Sequence, residues 1–218
     1  MNPILRVYDS TDGISALLLT SVFFLVMAKG LFYTRFINYM ALPFNTKYVF
    51  IYSKKNVIIN WFNIFFGLFQ LINLALYIYF IFDVFLPSNT QEFLTQYAFI
   101  LLFLLLFYLA KIAIQLINGT VFNNNKLIRE LIFKKISYLN YSSFILFLAN
   151  IALTYIFKKS EIVIYSSVFL VLIVNFIGWV TILKNHQKFI AAYFFYFILY
   201  LCALEIAPFV IIGSYLKD

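Results

Sequence analysis

The chain has 218 residues, of which 65% are hydrophobic, 22% aromatic and only 11% charged, and its mean hydropathy is +0.96. A soluble domain wets its surface with about 25% charged residues, so a water-facing globule is excluded and lipid is the expected solvent. The net charge of +8 would point to nucleic acid in a soluble chain, and the single cysteine and single histidine, Cys202 and His186, are too few for an internal disulfide, a zinc or iron–sulfur site or a bis-histidine haem.

The segment before the first apolar run carries Arg6 but also Asp9 and Asp12, and no small-x-small cleavage pattern follows. It does not read as a signal peptide, and the first span is expected to be retained. Six stretches are long enough to cross a hydrocarbon core of about 30 Å: Ile14 to Phe32, Val57 to Phe82, Tyr97 to Ile117, Tyr138 to Phe157, Ile162 to Leu183 and Phe189 to Tyr215. Their apolar residues run continuously rather than alternating, which favours helices over a barrel. Between the first two, Tyr33 to Asn56 is rich in Tyr and Phe and broken at Pro43, so it is expected to lie along the headgroup layer. From Lys126 to Ile136, Leu127, Ile128, Leu131, Ile132 and Ile136 recur at helical spacing opposite Lys126, Arg129, Glu130 and Lys134, after Asn123 to Asn125, which can cap the start. This is either a surface helix whose basic residues Lys126, Arg129, Lys134 and Lys135 meet anionic lipid headgroups, or an extension of the neighbouring span.

Alternate loops differ in charge. Lys29, Arg35, Lys47, Lys54, Lys55, Lys111, Lys126, Arg129, Lys134, Lys135, Lys184 and Lys188 fall on one side, against Arg6, Lys158, Lys159 and Lys217 on the other. The positive-inside rule makes the first side cytoplasmic and places both termini outside. Basic and aromatic residues together could serve nucleic acid, but here they flank lipid spans, and no nucleic-acid partner is expected.

Function is sought where a polar group persists despite lipid, since a charge at the bilayer centre costs at least about 2.5 kcal/mol. Lys29 lies near the end of its span and can snorkel. Tyr108, Lys111, Gln115 and Asn118 share one face of the third span; Asn60, Asn63, Gly67 and Gln70 share one face of the second. The two faces are expected to meet, with Gly67 permitting close approach, either as structural hydrogen bonding between helices or as a transport path. Asn150 and Asn175 read as the same interhelical glue. Glu205 lies inside the last span three residues before Pro208, which cannot donate to the carbonyl of Leu204. A protonated Glu205 could donate there; an ionised one would need a cation. Lys111 is the obvious partner, though its depth along the span argues for an offset or a bridging water. No nucleophile elbow, phosphate loop or zinc-protease motif occurs, so no catalytic residue, metal or cofactor is expected.

The run Leu199 to Pro208, an L-Y-L-C-x-L-E-I-x-P signature, together with Lys29 ending the first span and Lys111 in the third, resembles the Bacteroidota family of small integral membrane proteins known as domain of unknown function 4271. The resemblance implies a polytopic protein of the bacterial inner membrane and implies no activity. The expectation is a single domain over residues 1–218: an all-α membrane helix bundle of about six transmembrane helices plus one or two cytoplasmic interfacial amphipathic helices. Its expected role is a non-catalytic subunit or scaffold of a cell-envelope assembly, embedded among anionic lipids, with a membrane-protein partner or in a homo-oligomer. The alternative is a proton-linked carrier or channel using Glu205, Lys111, Gln115, Asn63 and Gln70.

Overall fold

The computed structural model describes residues 11–43, 45, 47–53, 60–85, 93–121 and 125–185. The described residues are helical in nearly their whole length: α1 (Thr11–Leu31), α2 (Tyr33–Met40), α3 (Lys47–Ser53), α4 (Trp61–Phe85), α5 (Phe93–Val121), α6 (Asn125–Ile151) and α7 (Glu161–Asn185), with a π turn over Ala152–Ile156 closing α6. Five segments are long and apolar enough to cross a bilayer, on α1, α4, α5, α6 with its π turn, and α7. In lipid every backbone N–H and C=O must find a partner within its own segment, and a helix provides that locally. The frequent Val, Ile and Phe therefore do not produce strands here. The sixth apolar stretch, with Cys202, Glu205 and Pro208, and the turn carrying His186 lie outside the described residues.

Residues up to Gly178 fall in one compact unit and those from Trp179 onward in a second. In the first unit α4 is central and packs on α1, α5 and α6. Its apolar window is 44% buried, against 17% for α5 and for α7, which turn most of their surface outward. Leu102, Phe103, Leu106 and Leu109 of α5 and Phe169, Leu170, Leu172 and Phe176 of α7 are exposed. That is the pattern expected where the surrounding medium is hydrocarbon.

Two features of the chain between the spans are decided by the structure, the first in favour of the extended span over the surface helix. Residues 126–136 form no separate surface helix; they are the first turns of α6, which starts at Asn125 and runs unbroken into the span. Lys134 is 2% exposed and its Nζ is paired with Glu130 at 2.9 Å, so it faces inward instead of toward headgroups. The i, i+4 spacing neutralises the charge within one turn and lets the helix carry it inside. The aromatic connection after α1 folds into α2 and α3, and Tyr39 and Tyr48 are only 1% and 0% exposed, while Tyr33 and Ile37 stay exposed. Tyr39 packs edge-on against Tyr48 and Phe62, at 5.0 and 5.6 Å between centroids, and Tyr48 stacks on Phe133 at 6.0 Å. Short helices thus plug one end of the bundle with rings.

The other end is tied by polar contacts. Ser15 Oγ and Tyr155 Oη are 2.7 Å apart, and Lys159 Nζ reaches Asp83 at 3.1 Å. Lys159 takes the left-handed conformation, φ 56°, in the turn that reverses the chain into α7. Near the opposite end α7 lies so close to α6 that a Cβ on Gly178 would fall 2.6 Å from Cγ of Tyr138. Gly67 plays no such part, because a Cβ there would meet nothing within 4 Å. The close approach expected at Gly67 occurs at Gly178.

Candidate functional site

Three polar clusters persist in the apolar bundle. The first joins α4 to α6 at mid-span. Asn73 and Asn150 are both fully buried. Asn150 Nδ2 donates to the Asn73 backbone carbonyl at 2.9 Å and lies 3.4 Å from its Oδ1, and Asn73 Nδ2 donates to the Phe69 carbonyl at 2.8 Å. Both contacts of Asn150 Nδ2 are acceptors, which fixes the amide orientation. The Thr154 hydroxyl donates to the Asn150 carbonyl at 2.7 Å, inside the π turn whose Phe157 N–H reaches back to Ala152 O. Asn150 acts between helices, as expected from its sequence position; its partner is Asn73, three residues after Gln70 on α4, which the sequence reading does not single out. Asn175 bonds the Val171 carbonyl of its own helix at 2.8 Å, and the described contacts give it no interhelical role. A further tie, Tyr77 Oη donating to the Ile164 carbonyl at 2.9 Å with Ser167 Oγ at 2.6 Å, links α4 to α7.

The second cluster surrounds Arg35 on α2, which is 7% exposed. Its guanidinium sits 4.7 Å from the Phe62 ring centroid and 4.8 Å from that of Tyr52. Nη2 donates to Asn63 Oδ1 at 3.1 Å, and both Nε and Nη2 lie 3.4 Å from Tyr48 Oη. Tyr39, one helical turn on, donates its hydroxyl to the Ser137 carbonyl at 2.8 Å. Burial holds both phenols above the ordinary value; at Tyr39 neighbouring Tyr48 and Tyr141 add to it and Arg35 opposes it, and at Tyr48 Arg35 is again the opposing influence. Both therefore stay neutral hydrogen-bonding groups. Asn63 thus bonds α2. The usable signal was one arginine inside the aromatic run Tyr33, Tyr39, Tyr48, Tyr52. The planar cation and the rings suit each other better than either suits lipid.

The third cluster runs from α4 across α5 to α6. Gln70 Nε2 donates to Tyr108 Oη, so the polar faces of the second and third spans do meet. Lys111, three residues further along α5, lies over Phe107 at 5.7 Å, and Lys135 on α6 is near enough to interact with it electrostatically. Gln115, one turn on, is 3% exposed, and its Nε2 has no hydrogen-bond partner. The structure thus brings Lys111 to Lys135, a residue assigned from sequence to the membrane surface; Arg129 of the same helix is exposed. Glu205 lies outside the described residues, as does the side chain of Lys126. Among the described residues no group of three or more His, Cys, Asp or Glu side chains could hold a metal ion.

Long apolar helices arranged around a buried α4, with sparse polar ties and outward apolar faces, define a multi-pass helical membrane protein. The model of the family Domain of unknown function (DUF4271) matches residues 14–216, and the chain belongs to that family. No curated protein and no solved structure matches the chain.

Proposed function

We propose that the protein is a non-catalytic subunit or scaffold of a cell-envelope assembly, working in the bacterial inner membrane. One observation carries this reading: the seam between α4 and α6 is filled by rings. Phe66, Phe69, Phe144 and Phe147 meet at 5.5 to 5.9 Å between centroids. The buried Asn73 and Asn150 bond each other across it. A transport path needs water or coordinating groups along the bundle axis, and among the described residues rings at van der Waals distance fill the α4–α6 seam instead. The outward apolar faces of α5 and α7 suit lipid or a membrane-protein partner, including a second copy of the chain. Basic residues gather at the end of the bundle where α1 leads into α2, and Asp12, Asp83 and Glu161 at the other. That asymmetry supports a cytoplasmic basic end next to anionic lipid, and external termini.

Affinity purification of the tagged full chain from native membranes in a mild detergent tests the proposal. A stoichiometric membrane-protein partner supports it and identifies the assembly. A solitary species that conducts ions or protons in liposomes overturns it in favour of the carrier, whose foothold is the lysine pair of α5 and α6.

A further inference from the structure

Arg35 is 7% exposed, and its acceptors among the described residues are neutral: Asn63 Oδ1 at 3.1 Å and Tyr48 Oη at 3.4 Å. Among those residues the ion pairs are Glu130 with Lys134 and Asp83 with Lys159, and no carboxylate reaches Arg35. The rings of Phe62, Tyr52 and Tyr48, at 4.7, 4.8 and 5.8 Å, ease the desolvation of the guanidinium but bring no opposite charge. A guanidinium cannot shed its charge as a buried lysine does. Its fork is only partly engaged: Nε and Nη2 make the contacts to Tyr48 and Asn63, while Nη1 bonds no described residue and is not among the sealed polar atoms of the bundle. Asn63 lies two residues from Trp61, where the α4 apolar window begins, so at about 1.5 Å rise per residue the guanidinium is held about 3 Å inside the edge of the apolar span. Tyr33 and Ile37 of the same helix, Ile51 of α3 and Trp61 at the start of α4 stay exposed. Amphipathic rings of this kind settle at headgroup level, where lipid phosphates lie.

We propose that Arg35 docks the phosphate of an anionic phospholipid through Nη1, at the end of the bundle that α2 and α3 close. A phosphodiester oxygen accepts a charge-assisted hydrogen bond from Nη1 and brings the negative charge that Asn63 and Tyr48 lack. Depth favours lipid over a protein carboxylate: the cation sits at the edge of the hydrocarbon, and the exposed side chains of α2, α3 and the start of α4 suit acyl chains and the headgroup layer. An anionic lipid should outcompete a zwitterionic one, whose own cation offsets its phosphate. Free inorganic phosphate shares this chemistry. The site depends on that end of the bundle lying next to anionic lipid, as proposed above, and not on the scaffold role.

The full chain carrying Trp179→Phe keeps Trp61 as its one tryptophan. In vesicles of phosphatidylcholine containing brominated phosphatidylglycerol, quenching of Trp61 reads how strongly the anionic lipid is preferred beside α4. Lipid retained by the unsubstituted chain in native mass spectrometry repeats the comparison. Phosphatidylglycerol is expected to be preferred about fivefold, and the preference should survive about 0.5 M salt, which screens general surface attraction. It should fall to within about twofold of parity in Arg35→Gln and persist in Arg35→Lys, which keeps the cation and guards against a folding defect. Arg129→Gln, on the exposed side of α6, should leave it unchanged. A chain that purifies without a partner yet shows this preference keeps the site and loses the scaffold role. The docking site is overturned if the wild-type chain shows no preference, if salt abolishes it, if folded Arg35→Gln retains it, if folded Arg35→Lys loses it, or if Arg129→Gln weakens it equally. Inorganic phosphate that removes the preference where chloride of equal ionic strength does not would assign Arg35 to a free anion and overturn the lipid.

Discussion

Replacing Arg35 by alanine removes one charge-assisted hydrogen bond, to Asn63 at 3.1 Å, and two close ring contacts at 4.7 and 4.8 Å, besides a more distant one to Tyr48 at 5.8 Å. A hydrogen bond to a charged group is worth about 1.5 to 3 kcal/mol, and each desolvated cation–ring contact about 1. The approaches to Tyr48 at 3.4 Å are too long to add much. The expected loss is therefore about 3 to 5 kcal/mol. Lysine keeps the cation but lacks the planar fork, and Arg35→Lys should lose about half as much. Denaturant unfolding of the detergent-solubilised chain, followed by the fluorescence of Trp61 beside Phe62, measures both. In a double-mutant cycle with Phe62→Leu, Arg35 and Phe62 should couple by about 1 kcal/mol. A loss under about 1 kcal/mol for Arg35→Ala, or a lysine variant as stable as wild type, would refute the view that the ring-lined guanidinium fastens α2 to α4.

Two glycines should respond oppositely to alanine. Gly178→Ala places a methyl 2.6 Å from Tyr138 Cγ and should cost about 1 to 3 kcal/mol, whereas Gly67→Ala meets open space and should gain up to about 1, both read as shifts in Tm. Asn150→Leu severs the tie to Asn73; interhelical polar pairs in membranes average about 0.6 kcal/mol with a maximum near 1.7, so a loss above about 3 would show that the pair does more than join helices. The phenols of Tyr39 and Tyr48 are held above the ordinary value of 10.0 in the folded state, chiefly by burial. The folded protein thus keeps protons that the unfolded chain releases above that value. Their contribution to stability is complete below pH 10 and is lost as pH rises through the folded-state values. A pH series of unfolding curves should show stability falling above pH 10, with a smaller fall in Tyr39→Phe; an unchanged slope would contradict the burial of that hydroxyl.

Hydropathy by itself determined the helical class and the position of the described spans, because a lipid-facing helix must satisfy its backbone internally and show about twenty apolar residues in a row. Helical spacing also marked Gln70 and Tyr108, whose faces meet, and Asn150, whose isolation in an apolar run signalled a partner across an interface. The partners themselves came only with the tertiary structure. Asn63 was set on the same stripe as Gln70, yet it bonds Arg35, since α2 folds back over the start of α4. Spacing assigns Lys134 and Lys135 to a basic surface; the unbroken run of α6 carries them inside, one to Glu130 in its own helix and the other toward Lys111. Periodicity records which side of a helix a residue occupies and contains no information on which helix lies opposite. That choice is made by shape and by the need to pair each buried polar group, and both depend on residues far apart in the chain.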